Sequence, residues 1–269
     1  MLKPSYASGY AKNASQSAYP NLWDGLIGAW MPSLGVTGVT KIRNAVKGRA
    51  EDGTINNGLK VTQAGFVQND SDELIQLNDG YVNNAGTVVG SVDTMNQYSQ
   101  WRYSNVWSSR SWFLRVTNYN NYGIETLKWD NSGGWRTVRT PFPNGNAKYH
   151  VASSFKANGE LALYVDGTKT GSTPYVTTQT QQGRSAYFAG YSDQVPGQPD
   201  WLGPYLFGGV LLFDRVLTET EIKQLYINSS APFVRKQKSV FFVPEVPPTT
   251  QYNAFATHAF NPLLQQRLR

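Results

Sequence analysis

Phe207-Gly-Gly-Val-Leu-Leu-Phe-Asp-Arg-Val-Leu-Thr-Glu-Thr-Glu-Ile-Lys-Gln-Leu-Tyr226 is the stretch that decides the fold. Val210 to Phe213 is an apolar run of core-strand length, too short to cross a membrane. Thr218 stands three residues before Glu221, the spacing at which each side chain satisfies the other's free backbone N–H at a helix start. Leu217 and Ile222 flank that box as a hydrophobic staple. Ile222, Leu225 and Tyr226 repeat at i, i+3 and i+4, giving the helix one apolar face. The stretch therefore reads as a strand, a turn and a short capped helix laid on a structure already built. Upstream the chain reads as strands, and beyond Asn228 it reads as neither, so the unit closes a domain.

Upstream, strand patterns recur with turn residues between them, the spacing of a β-sandwich. Residues 23–31 read as the first core strand, and further candidates fall at 61–67, 74–77, 86–92, 111–117, 122–129, 134–140, 148–156, 160–165 and 186–190. Residues 44–58 read as a glycine-bearing loop. In Glu160-Leu-Ala-Leu-Tyr-Val165 the residues Leu161, Leu163 and Val165 share a face, and Asp166-Gly167 supplies a tight turn. Composition agrees: 25 glycines, 8 tryptophans and 16 tyrosines with only 16% charged residues favour strands and turns over long surface helices. The chain has no cysteine, which excludes disulfides, thiol catalysis and Cys-ligated zinc, and imidazole chemistry is confined to His150 and His258.

Tyr149-His-Val151 through Leu161-Ala-Leu-Tyr-Val-Asp-Gly167 resembles a hairpin of the concanavalin A-like, laminin-G-like jelly rolls. The opening stretch quoted above resembles the same family's closing segment, and Gly25-Leu-Ile-Gly-Ala-Trp30 its first strand. The resemblance covers about residues 23–228. It implies an all-β fold, a two-sheet antiparallel jelly-roll sandwich with one short C-terminal helix, rim loops that often bind sugars, and frequently calcium. Terminal arms are expected at 1–22 and 229–269. Relatives place Asp, Ser-Gly and Asn-His in the loop corresponding to 44–58; here Asn44, Lys47-Gly48 and Asp52 stand there, and cationic neighbours repel calcium. No cofactor and no metal are therefore expected. Asp70-Ser-Asp-Glu73 reads as a solvated turn, and Asp166 as a turn residue.

Glycoside cleavage needs two carboxylates facing across the scissile bond, cheaply placed at alternate positions of one strand. The Glu-x-Asp-x-x-Glu run of the glucanase branch is missing from this sequence, and Glu51-Asp52 and Asp72-Glu73 are adjacent pairs that on a strand face opposite ways. No Gly-x-Ser-x-Gly elbow accompanies His150, which reads as structural. A non-enzymatic protein is expected. Trp101, Trp107, Trp112, Trp129, Trp135 and Trp201 offer faces to sugar rings; Trp112 reads as core. Trp135 and Trp201, with Tyr191 and Asp193 in the long polar loop that Trp201 ends, are the glycan-binding candidates.

The tail from 233 to 269 carries five cations against Glu245, a net of +4 within a chain total of +6. No recognition motif accompanies that charge, so nucleic acid is not an expected partner. Pro244, Pro247, Pro248 and Pro262 bar a central strand or helix, yet Phe241, Phe242, Phe255, Phe260, Leu263 and Leu264 are too apolar for a solvated linker. With Tyr6, Tyr10 and Tyr19 of the N-terminal arm they read as assembly contacts to other copies or to neighbouring virion proteins. No secretory signal or membrane span is visible, which predicts synthesis in a host cytoplasm. The main expectation is a phage head decoration protein in a virion, bound to the capsid and oligomeric. The alternative is a carbohydrate-binding module, such as a fibre or host-adsorption domain, that meets cell-surface glycans.

Overall fold

The computed structural model of the chain describes residues 9–35, 40–46, 51–56, 58–67, 74–77, 84–94, 103–109, 112–117, 123–130, 134–142, 147–176, 186–188 and 205–237. Its strands in chain order begin with β1 (Leu26–Trp30), β2 (Lys41–Ile42), β3 (Gly53–Asn56), β4 (Lys60–Thr62), β5 (Gly65–Val67) and β6 (Leu74–Leu77). Next come β7 (Ala85–Asp93), β8 (Tyr103–Ser109), β9 (Trp112–Thr117), β10 (Gly123–Asp130) and β11 (Gly134–Pro141). The last are β12 (Lys148–Lys156), β13 (Gly159–Val165), β14 (Thr168–Tyr175), β15 (Ala186–Phe188) and β16 (Tyr205–Phe213), followed by helix α1 (Glu219–Ile227). Two antiparallel sheets result. Sheet I runs β14-β13-β12-β7-β16-β5-β4 with β1 also on β16, and sheet II runs β11-β10-β9-β8-β15-β6-β3-β2. This is the expected all-β sandwich.

The alternation of side chains along each strand sorts residues between two cores. Between the sheets lie Trp30, Phe66, Trp107, Trp112, Val151, Phe155, Leu161, Leu163, Phe188 and Leu212. The other face of sheet I is covered by α1, where Val89, Ala152, Ala162, Tyr164, Leu211 and Phe213 meet Leu217, Ile222 and Leu225. Sheet I is therefore buried on both faces, which is why β12 is buried from Tyr149 to Phe155 without a polar face. The strand β16 changes partners in mid-course. Its start pairs with β5, its end with β1, and the register shifts between Phe207 and Val210. Gly209 sits at that shift with φ 124°, and a Cβ there would lie 2.6 Å from the Trp30 carbonyl oxygen, so only glycine fits.

The capping box is formed as the spacing predicts: Thr218 Oγ1 accepts from the Glu221 N–H at 3.2 Å, and Glu221 accepts from the Thr218 N–H at 2.9 Å. Arg215 completes it, donating to both Glu221 oxygens at 2.6 and 2.9 Å and to the carbonyls of Asp24 and Asn21. Burial pushes the Glu221 carboxyl up, but Arg215 and Thr218 outweigh it and hold the pKa at about 2.

The compact unit extends beyond the expected jelly-roll limits of 23 and 228. It runs from Met1 to Lys236, with 237–269 as a second unit. Residues 10–22, expected in an arm, lie on the domain. The Ala11 N–H donates to the Phe233 carbonyl, the Ala18 N–H to Val234 and the Lys236 N–H to Gln16, at 2.8–2.9 Å, with a bridge between Ser17 and Arg235. Phe233 packs edge-on against Tyr10 (6.0 Å) and Trp23 (5.6 Å). Tyr10, expected to reach for a neighbouring protein, is thus buried within its own domain, and Tyr19 packs partly buried on the same cluster. Other strand expectations also change. Residues 61–67 are the hairpin β4–β5 rather than one strand, residues 53–56 form β3 within the expected loop, and β8 and β14 were not anticipated.

Candidate functional site

On β10 the residues Thr126 and Lys128 point between the sheets: the Thr126 hydroxyl meets Ser153 of sheet I, and Lys128 Nζ lies 4.0 Å from the Phe155 ring centroid. Alternation then turns Glu125, Leu127 and Trp129 to the outer face of sheet II. Register places Arg115 of β9 and Arg139 of β11 directly opposite Glu125, and Trp135 of β11 opposite Trp129. Arg115 Nε donates to Glu125 Oε1 at 2.6 Å and Arg139 Nε to Oε2 at 2.8 Å, while Arg139 Nη2 also donates to Oε2. Glu125 is wholly buried beneath these two guanidiniums. Two cations against one anion leave the ladder at +1.

Beside the ladder lies an aromatic cluster. Trp129 and Trp135 meet edge-on at 5.2 Å, and Phe113 of β9 meets Trp135 at the same centroid distance. Both tryptophans remain open to solvent, at 37% and 41%. Asn105 of β8 stands opposite Arg115; it is 1% exposed, and neither atom of its amide has a hydrogen-bond partner. A buried amide without partners costs free energy until a ligand or a moving side chain meets it. The face thus joins exposed indole surface, which suits the C–H side of a sugar ring, to the guanidinium donors of the ladder, which suit its hydroxyl or carboxylate groups. Chemistry on a glycosidic bond needs a second carboxylate across from the first. Across β9 and β11 Glu125 faces arginines rather than a second carboxylate.

Of the glycan candidates, Trp135 is in this cluster, and Tyr191, Asp193 and Trp201 lie outside the described residues. Trp107 and Trp112 are core residues. Tyr6, Phe241, Phe242, Phe255, Phe260, Leu263 and Leu264 also lie outside the described residues. Asn44 and Asp52 brace the 44–58 loop: Asn44 Oδ1 accepts from the N–H groups of Ala29 and Val46, and Asp52 Oδ1 accepts from the Asn44 N–H at 2.8 Å. Asp166 Oδ1 accepts from the His150 N–H at 2.9 Å. Among the described residues no cluster of three or more His, Asp or Glu is placed to hold a metal ion. Reading the sequence missed Asn105, Arg115, Glu125 and Arg139. For Arg115, Glu125 and Arg139 the signal was a charged residue at the outward position of each of three strands, visible only once register is known.

Two packed antiparallel sheets closed by one short helix define a concanavalin A-like sandwich. Residues 69–223, more than half of the chain, match the concanavalin A-like lectin/glucanases superfamily, and the chain belongs to that family. Similar solved structures include the botulinum neurotoxin serotype D ligand binding domain in complex with N-acetylneuraminic acid, at TM-score 0.57 and 15% identity, covering 81% of this chain and 52% of that one. The receptor binding domain of botulinum neurotoxin D is similar at TM-score 0.55 and 14% identity, covering 77% and 53%. That of the C/D mosaic serotype is similar at 0.54 and 15%, covering 76% and 51%. The chain spans about half the length of these structures, and the likeness is one of fold. No curated protein sequence matches the chain.

Proposed function

We propose that the domain is a carbohydrate-binding, lectin-like module whose glycan rests on the outer face of sheet II. The observation that carries this reading is the solvent-open Trp129–Trp135 pair beside the Arg115–Glu125–Arg139 ladder and the unpartnered Asn105. Membership of a lectin and glucanase family supports it, as does the fold shared with neurotoxin domains named for ligand or receptor binding. The phage-head decoration role expected from the sequence, with its capsid partners, draws no support from these comparisons, which favour the alternative of a glycan-binding module. Such a module would serve adsorption to a glycan-coated surface.

The test is a glycan array probed with the whole chain, followed by titration of each hit under intrinsic tryptophan fluorescence. The Trp129→Ala/Trp135→Ala double variant should lose at least about fivefold in affinity, since stacking on an aromatic ring is worth about 0.5–1.5 kcal/mol for each ring. Unchanged affinity in a double variant with native circular dichroism, or no glycan retained by the wild type, would reject the reading.

A further inference from the structure

Away from sheet II, the C-terminal end of α1, the end of β7 and the start of β12 line a cleft of about 350 Å³. Ser91, Lys148, His150, Asp166, Tyr226 and Asn228 contribute to its walls. His150 is 7% exposed, and both of its ring nitrogens are buried without a hydrogen-bond partner. The Tyr226 ring lies 5.9 Å from the imidazole at 58° and is itself 46% exposed, so one aromatic surface faces the opening. Asp166, held at φ 50° in the turn before β14, spends one carboxylate oxygen on the His150 N–H. Desolvation lowers the His150 pKa to about 4, so at neutral pH the ring carries one N–H donor and one acceptor lone pair.

The charges narrow the ligand class. Lys148 pairs with Asp93 at 3.7 Å, so Asp166 is the remaining charge of the lining. An anion would face Asp166 and the partial negative charge at the C-terminal end of α1. A hard cation would find a single carboxylate where it needs several oxygens. The unpartnered neutral imidazole, with one donor and one acceptor, suits a neutral molecule that can both donate and accept hydrogen bonds, with an apolar side for Tyr226. We propose that this cleft is a second binding site, independent of the sheet II face, for a small neutral polyhydroxylated ring, with hydroxyls at His150 and Asp166 and the ring face on Tyr226.

The chain's two histidines make the site directly observable, because His258→Gln leaves His150 as the remaining imidazole. Imidazole nitrogen NMR signals of the ¹⁵N-labelled full chain are followed while methyl α-D-glucopyranoside, myo-inositol or glycerol is added. The expected result is a saturable shift of the His150 signals with a ring compound at millimolar concentration. It should weaken about two- to tenfold in Tyr226→Ala and persist in Trp135→Ala. Three outcomes overturn the proposal: no shift by either ring compound, equal affinity in Tyr226→Ala, or loss of the shift in Trp135→Ala, which would trace it to sheet II. Binding of acyclic glycerol as tightly as the ring compounds would overturn the assigned ring face.

Discussion

Lys128 is an ammonium donor placed between two sheets, and Lys128→Met tests what that placement costs. The side chain is 5% exposed, with Nζ 4.0 Å from the Phe155 ring centroid and about 6 Å from those of Trp112 and Tyr175. Burial lowers its pKa from 10.5 to about 7. A lysine whose folded pKa lies below its unfolded one weakens the fold wherever the unfolded chain binds the extra proton. Stability should therefore fall as pH drops from 10.5 towards 7. At pH 7 the shift amounts to about 4 kcal/mol. The desolvated contact with Phe155 favours the charged form by about 2 kcal/mol, leaving a net penalty of about 2 kcal/mol. Lys128→Met fills the same volume without the charge. Urea unfolding at pH 7 should show the variant about 2 kcal/mol more stable than wild type, with the two converging by pH 10. A variant less stable at pH 7, or a wild type whose stability does not rise between pH 7 and 10, would show that the ammonium is well compensated in the interior.

Three further outcomes follow from the same structure. The His150 pKa of about 4 against 6.5 unfolded predicts stability held above pH 6.5 and lost as pH falls towards 4, by about 3 kcal/mol; His150→Gln should flatten that part of the urea-midpoint profile, and a parallel profile would contradict it. Thr218→Ala removes the helix cap and one partner of Glu221, and should cost about 1–2 kcal/mol in chemical denaturation. Phe233→Ala empties the site between Tyr10 and Trp23, and should cost about 3–5 kcal/mol while opening residues 10–24 to limited proteolysis; a loss below about 1 kcal/mol would mean the N-terminal segment holds without it.

The fold was legible where local chemistry and global position agree. Thr218 and Glu221 announce their helix by spacing alone, and β13 carries the alternation of Leu161, Leu163 and Val165 that ends at the Asp166-Gly167 turn. The strand β14 escaped notice because it is an edge strand whose Thr, Lys and Ser residues face water and which tolerates Pro174. The hairpin β4–β5 turns at Gln63-Ala64, which carries no turn signature, and Gly65 takes up the positive φ just after it. Tyr10 could not be placed from sequence because its partner Phe233 is more than two hundred residues away. The candidate site was only half legible. Trp135 stood out as an aromatic beside glycines, whereas Glu125 becomes meaningful through Arg115 and Arg139, and pairing across three strands is a property of register.

The clasp between residues 11–18 and 233–236 has a consequence for how the domain can be carried. The Ser17–Arg235 bridge and the 2.9 Å bond from the Lys236 N–H to the Gln16 carbonyl bring the entering and leaving strands of chain to one point. The sandwich is therefore a pendant, able to hang from a single spot in a longer polypeptide without separating the segments on either side. It is also a natural subject for circular permutation: a bridge from 236 to 9, which keeps the buried Tyr10, with a new opening at the Ala157–Asn158 turn between β12 and β13, breaks no strand of either sheet.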